Sequence, residues 1–349
     1  MTKKFSIAVD AMGGDNAPDK VLEGINLLFK NKVNIHVDIF GNKDLILKLI
    51  KKYKYLNKDN FNITHSPDIV PGDVSVRDAI KLGKQTSMWM AIDSVKKGKN
   101  DIIVSSGNTG ALLIMSKLIL KMIDGVDKPA LAAIWPNFKN YSIVLDLGAN
   151  VECTENNLIE FSILGSELYR TIYGKNEVVT GLLNIGSEEI KGNESIKNAH
   201  LKLQEAKNLN FIYKGYIEGN EIKNGDAQVI VTDGFTGNVA LKTAEGTANF
   251  ITSEIKKSFS SSFLSKIGYL FSYFAFKEIK KKLDPRKYNG AIFLGLNAPV
   301  IKSHGGADAF AFYNSLNLSY QIINGNLINK IKNNFINNNV QQSNKAESL

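Results

Sequence analysis

Cysteine is almost missing from this chain. Cys153 stands alone among 349 residues, which excludes an intrachain disulfide and fits a reducing compartment. Histidine is scarce too: His36, His65, His200 and His304 show no zinc-like spacing with one another. Arginine is thin and scattered, at Arg77, Arg170 and Arg286, so there is no guanidinium cluster of the kind a decarboxylating dehydrogenase needs for its substrate. No run of about 18 uninterrupted apolar residues occurs, which excludes a membrane-spanning helix. The first residues lack the long apolar stretch and small-residue cleavage site of a signal peptide. Neither G-x-x-x-x-G-K-[ST] nor a G-x-G-x-x-G after the first apolar run is present, which weakens a nucleotide-hydrolysing or dinucleotide-binding reading. There is no Pro/Ser-rich linker, no internal repeat, and no helix-turn-helix, zinc or RNA-binding motif.

What is there is an ordinary globular balance, 44% hydrophobic and 22% charged, with a formal net charge of +9. A basic surface attracts polyanions: nucleic acid, anionic lipid or an acidic protein. The abundance of Lys and Asn offers a second reading, compositional drift with no partner behind it. Short runs, most of them continuously apolar, predict strands at Ser6–Val9, Val37–Phe40, Ile102–Val104, Ile143–Leu145, Val178–Leu183 and Val229–Val231. Such runs suit parallel strands buried on both faces. Helical spacing follows: Val21, Leu22, Ile25, Leu28 and Phe29, and later Leu158, Phe161, Leu164, Leu168 and Ile172. Strands alternating with helices predict an α/β fold, an open and mostly parallel sheet with helices on both faces. Ligands in such folds bind at the carboxyl ends of strands.

Those ends are rich in glycine. The turns read Asp10-Ala11-Met12-Gly13-Gly14-Asp15-Asn16-Ala17-Pro18, Ser105-Ser106-Gly107-Asn108-Thr109-Gly110 and Asp146-Leu147-Gly148-Ala149-Asn150. Two more read Asn184-Ile185-Gly186-Ser187 with Lys191-Gly192-Asn193-Glu194, and Thr232-Asp233-Gly234-Phe235-Thr236-Gly237-Asn238. Glycine permits close ligand approach, and Asn, Asp, Ser and Thr cap the helices that follow. Exposed N–H groups at a helix start make an anion site. One such turn is what any α/β protein requires. Five, expected to converge on one edge of the sheet, favour a phosphate-bearing ligand.

As a set, the turns resemble the phosphate acyltransferase family of bacterial phospholipid synthesis. The strings are IAVDAMGGDNAP (7–18), SSGNTGAL (105–112), LDLGANV (145–151), GLLNIGSE (181–188), KGNE (191–194), VTDGFTGNVALKT (231–243) and APVIKSHG (298–305), with VRDAI (76–80) and DKPAL (127–131) beside them. They run in unbroken order from about Ser6 to His304. Ser187 stands where the family usually has Thr, and Asn289 where a Gly is expected. The resemblance implies reversible transfer of a long-chain acyl group from acyl carrier protein to inorganic phosphate, with no metal and no organic cofactor. It implies a fold like that of phosphotransacetylases and isocitrate-type dehydrogenases, a homodimer, and a cytoplasmic enzyme peripheral to the inner face of the membrane. There it would hand acyl phosphate to a membrane glycerol-3-phosphate acyltransferase. No nucleic-acid partner is expected.

The chemistry suits these residue types. Phosphate is already anionic and the leaving thiol has a pKa of about 8–9, so no covalent enzyme nucleophile is required. The protein must hold phosphate near the carbonyl and stabilise an oxyanion. The candidates for the chemistry are Asn184, Lys191, Asp233 and His304, the last either a hydrogen-bond donor or a structural histidine. Phosphate and acyl contacts are expected from Asp10, Gly13, Gly14, Asp15, Asn16, Gly107, Asn108, Thr109, Gly110, Gly186, Ser187, Asn193, Gly234, Thr236, Gly237 and Asn238. For Asp10 and Asp15 pure capping is an equal reading. Lys242 is read either as a source of charge or as a solvated helix residue.

The residues divide into one catalytic domain, 1–331, and an Asn/Lys-rich flexible tail, 332–349. Within the domain, 254–285 breaks the rhythm. Phe263, Ile267, Leu270, Phe271 and Phe274 form an apolar face flanked by Lys256, Lys257, Lys266, Lys277 and Lys280–Lys282. Aromatics opposite lysines predict a helical hairpin in an anionic lipid interface; burial in a dimer contact is the competing reading. Two rival functions remain, a phosphotransacetylase acting on acyl-CoA and a non-catalytic membrane-binding protein.

Overall fold

Ile7, Ala8 and Val9 lose all contact with solvent, because the strand they form is covered on both sides. The computed structural model describes residues 5–31, 34–57 and 59–335. The first half of the chain forms β1 (Phe5–Asp10), α1 (Asp19–Asn31), β2 (Ile35–Gly41), α2 (Lys43–Ile50), β3 (Phe61–His65), α3 (Val76–Leu82), α4 (Ser87–Lys96), β4 (Ile102–Ser105) and α5 (Thr109–Leu120). Next come β5 (Ala130–Pro136), β6 (Tyr141–Leu145), α6 (Glu155–Tyr173), β7 (Val179–Asn184), α7 (Glu194–Glu205), β8 (Ile212–Glu218) and β9 (Val229–Val231). Then follow α8 (Gly234–Ser260), α9 (Phe263–Leu283), β10 (Ala291–Leu294), β11 (Val300–Lys302) and α10 (Ala309–Asn324).

The strands make one sheet in the order β3-β2-β1-β4-β11-β10-β5-β6-β9-β7-β8. The fold is α/β with a mostly parallel sheet and helices on both faces. Alternate strand residues feed two cores. Ile7, Val9, Ile102, Val104, Ile143 and Leu145 join the side chains of α1, α6 and α10. Ala8, Ile103, Val144, Phe293 and Val300 join those of α4 and α5.

The centre of the sheet departs from the parallel pattern. β11 pairs with β10, β10 with β5, and β5 with β6, all antiparallel. Strand direction therefore reverses across the middle. The carboxyl ends of β1, β4 and β11 emerge at one edge, and those of β6, β7 and β9 at the opposite edge. The expected convergence of all the glycine turns on a single edge does not occur.

α8 and α9 form a long helical hairpin. Its first arm starts at Gly234, directly after β9, well before the expected boundary at 254. The bend lies at Ser261 and Ser262, whose hydroxyl caps α9 through Ser265. Gly268 lies inside α9 and makes no bend. At the other end of the chain, helix continues over 327–335 with Ile331 and Phe335 buried. Order thus extends past the expected tail boundary at 332. Residues 336–349 of that tail lie outside the described part. No helix among the described residues is long and apolar enough to cross a membrane.

Candidate functional site at the carboxyl edge of β1, β4 and β11

Asp10 ends β1 and is buried, 1% exposed. Its carboxylate accepts hydrogen bonds from the hydroxyls of Ser87 and Ser105, each at 2.7 Å, and from the Met12 amide at 3.3 Å. Burial pushes its pKa up, while these bonds and the field of Lys302 pull it back. Ser105 Oγ in turn accepts from the Gly107 amide at 3.0 Å. One carboxylate thus ties the start of α4 and the loop after β4 to the end of β1.

Three loops press together here. A Cβ added to Gly13 would lie 2.4 Å from the Gly107 amide nitrogen. Gly14 has φ +80, and a Cβ there would meet Gly305 O at 2.8 Å, Lys20 Nζ at 2.9 Å and Ser106 Cβ at 2.9 Å. Only glycine meets both demands without strain. The Asp15 amide donates to Gly305 O at 3.0 Å, and the Ser303 amide to Ser105 O at 2.9 Å.

Two lysines point into this junction. Lys20, 6% exposed, donates to Gly305 O. Lys302, the last residue of β11 and 9% exposed, donates to Ser303 O and, at 3.5 Å, to Ser106 O. Burial first, then the charge of Lys20, lower the pKa of Lys302 to about 8 against the pull of Asp10. Burial also lowers that of Lys20, against the pull of Asp15. His304 follows in the same loop. Burial, then the charges of Lys302, Lys242 and Lys20, hold its imidazole below the usual range against Glu245. Its Nδ1 accepts from the Gly306 amide at 3.1 Å, so the neutral ring carries its proton on Nε2 and can donate there. Lys242 itself is paired with Glu245 at 2.7 Å.

The expected residues fall into two groups. Asp10, Gly13, Gly14, Asp15, Gly107 and His304 share this edge, with Asn16 in the same turn. Asn108 is at the edge as well, but its side chain is taken. Its Oδ1 caps α5 through Ala111 at 2.9 Å, and its Nδ2 donates to Gly72 O at 2.9 Å and Val74 O at 3.3 Å. Thr109 and Gly110 form the first turn of α5. Asn184, Gly186, Ser187, Lys191 and Asn193, together with Asp233, Gly234, Thr236, Gly237 and Asn238, belong to the opposite edge.

That opposite edge is organised by a residue the sequence reading placed in a glycine turn but did not name as a site candidate. Asp146, fully buried, accepts from the amides of Leu131 at 2.9 Å, Gly148 at 3.2 Å, Ala149 at 2.9 Å and Asn150 at 2.8 Å, and from Asn150 Nδ2 at 2.8 Å. Asp233 caps α8 by accepting from the Thr236 amide and hydroxyl, both at 2.8 Å. Asn184 Nδ2 bridges Gly186 O at 3.1 Å and Lys191 O at 3.2 Å, and Asn193 caps α7 through Ile196 at 2.9 Å. Lys191 and Asn238 are exposed. Burial and the neighbouring Asp146 push the Cys153 thiol up to about 12, so it is protonated and unreactive at neutral pH.

Lys20, Ser87, Ser105, Ser106 and Lys302 were also missed as site residues. Lys302 closes an apolar run and lies within the string APVIKSHG (298–305), beside the candidate His304. Lys20 reads from sequence as a solvated residue in the first turn of a helix.

The sequence pattern of a family described as "Fatty acid synthesis protein" matches residues 5–330. A phosphate acyltransferase of Pelagibacter ubique is 56% identical over 334 residues, covering 96% of this chain and 99% of that protein. The chain belongs to the phosphate acyltransferase family. A second member, from Paramagnetospirillum magneticum, is 41% identical over 335 residues, 96% of this chain and 95% of its own. Among solved structures, a phosphotransacetylase from Streptococcus pyogenes superposes with a TM-score of 0.60 at 16% identity, covering 92% of this chain and 94% of that one. At that identity the likeness is one of fold. Membership makes the chain a member of a transferase family.

Proposed function

We propose that the protein moves a fatty-acyl group from the thiol of acyl carrier protein onto inorganic phosphate. A phosphate oxygen attacks the thioester carbonyl, the C–O bond forms and the C–S bond breaks. The thiolate leaves and takes up a proton. The observation that supports this most is the meeting of the β1, β4 and β11 loops around ammonium groups that lack a carboxylate hydrogen bond. Such a junction suits an anionic nucleophile, and the His304 Nε2–H beside it suits the oxyanion that develops on the carbonyl. The enzyme needs to position the reactants and screen charge, because the thiol, with a pKa of about 8–9, is a competent leaving group.

In this reading the protein works as a homodimer at the cytoplasmic face of the membrane, with the α8–α9 hairpin against anionic lipid. It supplies acyl phosphate to a membrane glycerol-3-phosphate acyltransferase. The test is an assay with palmitoyl acyl carrier protein and inorganic phosphate, following phosphate-dependent release of free carrier protein and trapping acyl phosphate with hydroxylamine. Saturation with phosphate is expected. Turnover with acetyl-CoA alone would instead assign the protein to the acyl-CoA reading, and silence with both donors would overturn the transferase reading.

A further inference from the structure

We propose that Lys302, Lys20 and the Ser106 hydroxyl together hold a tetrahedral oxyanion, and that the oxyanion is inorganic phosphate. Taking a charge out of water is unfavourable unless it is paired and hydrogen-bonded. Lys20 and Lys302 are both more than nine-tenths buried, yet both donate to backbone carbonyls: the first to Gly305 O, the second to Ser303 O and Ser106 O. An ammonium has three N–H donors, so each retains donor capacity. The nearby carboxylates do not absorb it. Asp10 influences Lys302 through its field alone, its oxygens being engaged by Ser87, Ser105 and the Met12 amide. Asp15 acts on Lys20 in the same indirect way.

Ser106 supplies the second, independent observation. It is 1% exposed and its Oγ has no hydrogen-bond partner. A buried hydroxyl left unpaired is destabilising by itself, and it implies a ligand atom that completes it. The three groups occupy one spot. The position a Gly14 Cβ would take is 2.9 Å from both Lys20 Nζ and Ser106 Cβ, while Lys302 Nζ reaches Ser106 O. Lys20 and Lys302 also repel one another, since the charge of the first depresses the second. A doubly charged anion between them reverses that repulsion and takes the free donors, with Ser106 Oγ–H as a further one. The charged groups facing Lys302 are Lys20 from α1 and Asp10 from β1, with the neutral His304 in its own loop; Lys242 and Glu245 of α8 act on His304 and neutralise each other.

The assignment rests on the acyl-transfer reading only for the identity of the anion. The experiment is therefore binding of inorganic phosphate alone, with no acyl donor, by calorimetry and 31P line broadening. Lys302→Met is expected to weaken binding roughly ten- to a hundredfold, and Ser106→Ala about three- to tenfold. Lys302→Arg keeps the charge and is expected to retain most of the affinity. Wild-type affinity should fall above pH about 8 as the Lys302 ammonium is lost, whereas Lys302→Arg should hold its affinity to higher pH. If Lys302→Met does not fold, Ser106→Ala and Lys20→Met carry the test. Unchanged affinity in folded Ser106→Ala and Lys302→Met would overturn the proposal. Phosphate that binds and is lost on these substitutions, in a protein that moves no acyl group, would uphold the site and sink the acyl-transfer reading. Acyl transfer with an unaltered KM for phosphate in the variants would do the reverse.

Discussion

Lys302 carries its charge at a cost to the fold. Its pKa is about 8 in the folded chain and about 10.4 once unfolded. Below pH 8 both states hold the proton and the whole penalty is felt. Between about 8 and 10.4 the unfolded chain binds more protons, so stability rises with pH. In phosphate-free buffer Lys302→Met should therefore be more stable than the parent at pH 7, by roughly 1–3 kcal/mol. The difference should close towards pH 10. Urea titrations at the two pH values check this; a variant less stable at pH 7 would mean the ammonium is fully compensated by its carbonyl partners. Asp10 could be read from sequence because an acid followed by paired glycines closes an apolar run. Lys302 could not, since a lysine at the end of a strand normally reaches water, and here the loops of two distant segments cover it.

The elements show what kind of strand a sequence reveals. The runs behind β4, β6 and β9 are buried on both faces, so their apolar residues are continuous and legible; β2 and β7 are legible although Asp38 and Thr180 interrupt them. β3 and β8 lie at the two margins of the sheet and carry polar residues such as Asn62 and Lys214, which break the signal. β10 and β11, no shorter than β4 and β9, went unread as well. The start of α8 was hidden for another reason: Gly234-Phe235-Thr236-Gly237 reads as loop, yet it is the first helical turn. Gly237 is required there because a Cβ would fall 1.9 Å from Asp146 O. Gly237→Ala should force α8 off the β6 loop and destabilise the protein by about 3 kcal/mol. Thermal and urea melts measure it, and a change under about 0.5 kcal/mol would show that the helix shifts freely.

At the scale of the whole molecule, the direction of a strand was the illegible quantity. Periodicity gives the face of a residue, whereas direction depends on which remote segments pair. The three antiparallel steps around β10 and β5 divided turns that look equivalent in sequence between two edges. The hairpin belongs to this scale too. Phe263, Leu264, Leu270, Phe271 and Phe274 are each more than 70% exposed, while Phe259, Tyr269 and Phe276 pack against one another between its arms. An outward apolar strip of this size marks an interaction surface. Vesicles containing anionic lipid should sediment the protein, and Phe271→Glu should reduce the bound fraction several-fold; equal sedimentation of the variant would assign the strip to a protein contact.

The position of β11 between β4 and β10 also orders events in the life of the chain. Among the described strands, the two that join the halves of the sheet, β10 and β11, leave the ribosome after all the others. Until residue 302 has emerged, the early strands β1 to β4 and the later β5 to β9 have no hydrogen-bonded link through the centre. The lysine that completes the anion site travels on that same closing strand. A nascent or truncated chain that lacks this strand therefore lacks both its ligand site and its continuous sheet.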